Sequence, residues 1–87
     1  MKQAIGMVET RSYLAALQSA DTMVKSADVS IIDLEFVGSG VINVIVTGEV
    51  AAVQAAVDNA VETVGQLAEI IATNVIARPH DEVDKIL

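Results

Sequence analysis

Gly38-Ser39-Gly40 lies between two runs of strand character, and each run is joined on its far side to a helical stripe. That arrangement restricts the chain more than any other feature. Residues 29–37 alternate, with Ser30, Ile32, Leu34 and Phe36 expected on one face and Ile31, Asp33, Glu35 and Val37 on the other. Val41 to Val46 is β-branched apart from Asn43. Two such runs joined by a short glycine-containing link read as a β-hairpin. Glycine supplies the positive φ that a tight hairpin turn demands.

The flanks repeat one another in type. Residues 3–9 read as a short buried strand, followed by two candidate helix caps, Thr10 and Ser12. Tyr13, Leu14, Leu17, Ala20 and Val24 then recur at helical steps and predict a helix ending near Ala27. Lys25 falls in its last turn, where a cation complements the macrodipole. After the hairpin, Gly48-Glu49 opens a second helix. Its stripe is Val50, Val53, Val57, Val61 and Val64 with Ala56 and Ala60, and Gly65 is its stop. Valine is a modest helix former, so this helix depends on packing. Residues 70–77 predict the last strand, and Arg78-Pro79-His80 breaks it. Asp81 is expected to cap a short helix through Leu87.

Strand, helix, strand, strand, helix, strand is the order of an α+β ferredoxin-like fold. It predicts a four-stranded antiparallel sheet, two main helices on one face and a short C-terminal helix, all in a single domain over residues 1–87. The second sheet face is open unless something covers it. No internal repeat, linker or low-complexity tract interrupts the chain.

Composition says what surrounds such a domain. The chain is 53% hydrophobic and 20% charged, with mean hydropathy +0.54. A folded monomer of this mass exposes roughly 4,900 Å² by surface scaling. Twelve acids and five bases cover that poorly. A domain that buries its outer faces against copies or a partner is therefore expected. The net charge of −7 argues against nucleic acid and against an anionic lipid membrane. The absence of cysteine removes disulfides and thiolate sites, and a single histidine argues against a structural zinc site. No stretch has the length of a membrane span or signal peptide, so a cytoplasmic location is expected.

No catalytic, cofactor or metal site is expected. Glu9, Asp21, Asp33, Glu35, Asp58 and Glu62 are scattered, and no two are spaced as an acid–base pair. Ser39 lacks the surroundings of a hydrolase nucleophile. Its glycine loop precedes a strand, whereas phosphate loops precede a helix. Taken alone, Lys25 is a helix-end charge and Arg78-Pro79-His80 a turn. The Ala- and Val-rich helices fit either a tight core or a subunit interface.

Several motifs stand together in a familiar order: Gly6-Met7-Val8-Glu9-Thr10-Arg11, Ala20 to Ala27, Gly38-Ser39-Gly40, Val44 to Val50, and Val75 to His80. From about residue 3 to residue 87 the chain resembles the single-domain hexameric shell proteins of bacterial microcompartments. The resemblance implies the same ferredoxin-like fold, cyclic homo-hexamers tiling into the facets of a shell in the bacterial cytoplasm, and no enzymatic activity. It also implies contact with other shell proteins and with encapsulated enzymes. Gly38, Ser39 and Gly40 match the loop lining a central pore for small polar metabolites. Lys25, Asp28, Arg78 and His80 match the hexamer edge.

The chain departs from the family pattern in four places. Ala77 replaces a proline and Asp28 an asparagine. Thr47 replaces an arginine, and Phe36 stands where a lysine or another polar residue is frequent. These departures bear on tiling and on pore selectivity. The same strand order also serves small-molecule-sensing ACT-type modules and ferredoxin-like enzymes. A stable hexamer separates the shell reading from a sensor dimer.

Overall fold

The protein is described by a computed structural model covering residues 3–87. Strand β1 (Ala4–Thr10) leads to helix α1 (Tyr13–Ser26), then to strands β2 (Val29–Gly38) and β3 (Val41–Gly48). Helix α2 (Val50–Val64), strand β4 (Ile70–Ile76) and a 3-10 helix (Asp81–Ile86) complete the chain. The sheet order is β2-β3-β1-β4 with every neighbouring pair antiparallel, the ferredoxin-like arrangement expected from the element order.

Register explains the core. Gly6 lies opposite Val46, Val8 opposite Val44 and Thr10 opposite Ile42, so these residues share one sheet face. Val8, Val44 and Val46 there pack with Ala16, Ala20 and Met23 of α1 and with Ala56, Val57 and Ala60 of α2. Alanine on both helices lets the backbones approach each other and the sheet. Gly6 takes that approach to its limit: a Cβ there would lie 2.6 Å from one Val53 methyl and 2.9 Å from one Val57 methyl.

Helix α1 begins where expected, with Ser12 as its N-cap accepting a 3.2 Å hydrogen bond from the Ala15 amide. Thr10 is not the cap. Its buried hydroxyl donates to the Glu69 carbonyl at 2.8 Å and ties the end of β1 to the chain entering β4.

The buried face of α1 differs from the expected stripe. Ala20 of that stripe is buried, together with Ala15, Ala16, Ser19 and Met23, whereas Tyr13, Leu14, Leu17 and Val24 are exposed. The larger side chains were the stronger periodic signal, but α2 lies too close for them, so the small residues face inward. For α2 the expected stripe is buried at Val53, Ala56, Val57, Ala60 and Val64, but Val50 and Val61 are exposed, because the sheet and α1 reach only the centre of the stripe.

Strand β2 also departs from strict alternation. Ile31 pairs with Val46 and Asp33 with Ile45, leaving Ile32 as an extra residue in a bulge. Beyond the bulge Leu34 and Phe36 share the helix-bearing face, as expected. Before it the phase is inverted, so Ile31 lies on the face of Leu34 and Ser30 on the face of Asp33.

The second sheet face is half covered. Ile5 and Ile45 lie on it, yet each is only 1% exposed. The chain leaves β4 at one sheet edge, buries Pro79, and brings Asp84 and Leu87 beside Ile32 and Asp33 of β2 at the other edge. With the helices on the first face, this crossing runs over β1 and β3. The 3-10 helix is capped by His80, not Asp81: its Nδ1 accepts from the Glu82 amide at 3.1 Å.

Candidate functional site

The β2–β3 connection is tighter than the sequence indicated. Gly38 and Val41 are paired, leaving a turn of Ser39 and Gly40 alone. Both have positive φ, 55° and 79°, as a type I′ hairpin turn requires. Gly38 also has positive φ, at 117°. Three consecutive left-handed residues turn the hairpin tip sharply and leave it fully exposed, with open space around both glycines. Ser39 is the single non-glycine residue in that region among the described residues, a conformation that costs a β-carbon-bearing residue about 1 kcal/mol.

Register places the other candidate residues at the opposite end of the sheet. Val29 and Ala4 are both opposite Gly48, and Ile5 is opposite Ile76. Lys25 and Asp28 therefore lead into β2 at that end, and Arg78 and His80 leave β4 there. They share an end without forming one cluster, since β2 and β4 are the two edge strands. All four are exposed. Lys25 Nζ lies 2.9 Å from Asp21 Oδ2 one helical turn away, so its ammonium is directed along α1. Asp28 borders a shallow polar concavity with Ser30, Thr47 and Glu49. Thr47 donates to the Ala4 carbonyl at 2.8 Å, pinning β3 to the start of β1. His80 accepts a backbone hydrogen bond through Nδ1, so its cap role fixes which way the ring faces.

Two contributors lie outside the candidate residues. Asp21 pairs with Lys25, and its i,i+4 spacing to that lysine is the signal in the sequence that points to the pair. Tyr13, which periodicity places in the buried stripe, is exposed and stacks its ring on Phe36 at 5.7 Å with an interplanar angle of 22°. No local pattern could reveal that pair, because it joins the start of α1 to the end of β2.

The molecule thus carries a hairpin tip at one end of a thin plate, charged turns at the other, and large apolar side chains along the outside of α1. The chain belongs to the BMC domain family, whose model matches residues 4–79. The chain is similar to the bacterial microcompartment shell protein PduA of Citrobacter freundii, with 48% identity covering 99% of this chain and 92% of that one. It is also similar to the carboxysome shell protein CcmK2 of Synechocystis sp., with 42% identity covering 100% and 86% respectively. A solved microcompartment protein from Desulfitobacterium hafniense superposes with a TM-score of 0.84 at 28% identity, over 95% of this chain; the chain spans 45% of that protein's length. The protein is thus a shell protein of a bacterial microcompartment, a structural component and not an enzyme. None of its helices among the described residues is long and apolar enough to cross a membrane.

Proposed function

We propose that residues 1–87 act as one shell domain, six copies of which close into a ring around the Ser39 turns, and that such rings meet through Lys25, Asp28, Arg78 and His80 to tile a facet. The observation that carries this reading is the placement of the hairpin tip and the charged turns at opposite ends of one sheet, in a plate measuring 33 × 27 × 16 Å. With the tips at an axis, the charged turns lie at the rim. Heterologous contacts that close under rotation give such a ring.

The surface supports it. The monomer exposes 5032 Å², including Leu14, Leu17 and Leu67 near the hairpin half of the molecule. Contact between neighbours removes such side chains from water, at about 25 cal/mol for each Å² of apolar surface buried. Six converging turns then place Ser39 hydroxyls and backbone amides around a narrow opening, offering donors and acceptors to a small polar metabolite. At the rim, Arg78 presents a planar fork to carbonyls of the next ring, and Lys25 three donors. Single exposed charge contacts are weak, so repetition along an edge is what holds a facet. Other shell proteins of the same compartment meet the same edge, and encapsulated enzymes lie behind it.

Light scattering at micromolar concentration tests the ring: a mass about six times 9.1 kDa is expected. A dimer as the largest species would instead support a sensor-type module. Ser39→Leu is expected to preserve the ring while slowing metabolite passage into intact shells. Equal passage would show that solutes travel elsewhere.

A further inference from the structure

The most exposed aromatic residue of the protein stands two positions before the first glycine of the hairpin tip. Phe36 is 71% exposed, and its neighbour Val37 is also exposed. An unsupported phenylalanine would fold back onto nearby apolar surface. Here its partner is Tyr13, with the two rings stacked at 5.7 Å and both still exposed. Tyr13 is itself rooted beside the Ser12 cap at the start of α1. Phe36 lies opposite Ile42 on the helix-bearing face, immediately before the bulge that leads into Gly38.

The charges at this end lie elsewhere. Glu35 is opposite Asn43, on the second sheet face. Glu9 is opposite Asn43 on that same face. Arg11 follows the end of β1, two strands away from β2, and the exposed Glu62 and Glu69 lie farther across, in the last turn of α2 and just before β4. On the helix-bearing side the approach to the hairpin tip is therefore apolar and aromatic.

We propose that Phe36, propped by Tyr13, forms an apolar collar on the helix-bearing mouth of the Ser39 opening that turns away small anions and leaves uncharged hydroxyl or carbonyl compounds as the solutes that pass. This rests on the six-fold ring proposed above. An anion crossing the collar sheds water with no cation to replace it. The aromatic face, negative at its centre, adds to that penalty. An uncharged solute loses far less hydration, lays its carbon skeleton against the rings, and then meets the Ser39 hydroxyls and loop amides. Tyr13 is a positioning residue in this scheme, and Phe36 sets specificity.

The test uses the intact ring, with its mass first established by native mass spectrometry. Chloride current through single rings in a planar bilayer is separated from potassium current by the reversal potential under a potassium chloride gradient. Leucine and glutamine are similar in size, so Phe36→Leu and Phe36→Gln separate bulk from polarity. Phe36→Gln is expected to raise the chloride current about tenfold, equivalent to about 1.4 kcal/mol, while Phe36→Leu stays near the unmodified ring. Tyr13→Ala is expected to shift the current toward that of Phe36→Gln. Equal currents for the leucine and glutamine variants overturn the collar while leaving the ring and its pore intact. A chain that never exceeds a dimer removes the ring, and the collar with it.

Discussion

The two ends of the sheet are built on different principles. At the hairpin tip, shape comes from the backbone: Gly38, Ser39 and Gly40 all have positive φ, and no charged side chain lies among them. At the other end the backbone is ordinary, and character comes from exposed side chains, Lys25, Asp28, Arg78 and His80. Exposed side chains such as Lys25, Asp28 and Arg78 can be exchanged without disturbing the sheet, whereas His80 also caps the 3-10 helix. A run of left-handed residues cannot be exchanged, because the turn and the conformation are the same thing. Between the ends lies a middle that serves neither role directly and holds both in place, with α2 resting on Gly6.

That contrast predicts a gradient of effects. The largest is expected in the middle. Gly6→Ala places a methyl within 3 Å of methyls on Val53 and Val57 and is expected to lower stability by about 1–3 kcal/mol as overpacking. Urea denaturation measures it, and an unchanged midpoint would mean that α2 yields freely. Next comes the tip. Gly40→Val forces a β-branched residue to φ 79° and is expected to cost roughly 1–2 kcal/mol. Amide exchange in β2 and β3 near the turn should rise before that elsewhere. A uniform rise across the sheet would tie the tip to global stability and erase the distinction between the ends.

The smallest effect on stability is expected at the charged end. Lys25→Ala removes an exposed intrahelical pair with Asp21 and should change the unfolding free energy by less than about 0.5 kcal/mol. The same substitution is expected to leave the ring mass unchanged and to abolish extended sheets in electron micrographs. Unchanged sheets would make Lys25 a helix-end charge and nothing more. Asp21→Asn sharpens the point: it frees the ammonium from its intrahelical partner, so sheets should form at lower protein concentration than with the unmodified chain.

Much of this was legible from residue order. Switches of hydrophobic period located every strand and helix to within a few residues, because local patterning and backbone propensity act over neighbouring positions. The glycine tip and the cationic turn after β4 were visible as breaks in those patterns. What failed depended on contacts made far along the chain. The stripe Tyr13, Leu14, Leu17, Ala20 and Val24 reads as a buried face, yet of these only Ala20 is buried, and the tight seat of α2 selects Ala15 and Ala16 beside it for the inside. Periodicity tells which residues share a face; it does not tell which face the neighbour can accommodate.

By itself, then, the order of residues determined the element sequence, the sheet topology it implies, the hairpin tip, and a surplus of apolar surface that asks for partners. Tertiary structure decided the rest. It placed the tip and the charged turns at opposite ends, because antiparallel register and not sequence distance sets which residues are level. It set the phase of β2 through an unsignalled bulge at Ile32. It drew residues 77–87 back across Ile5 and Ile45, covering part of a face that alternation alone left open. And it stacked Tyr13 on Phe36, a contact between residues 23 positions apart that exists because α1 and β2 begin and end at the same edge of the plate.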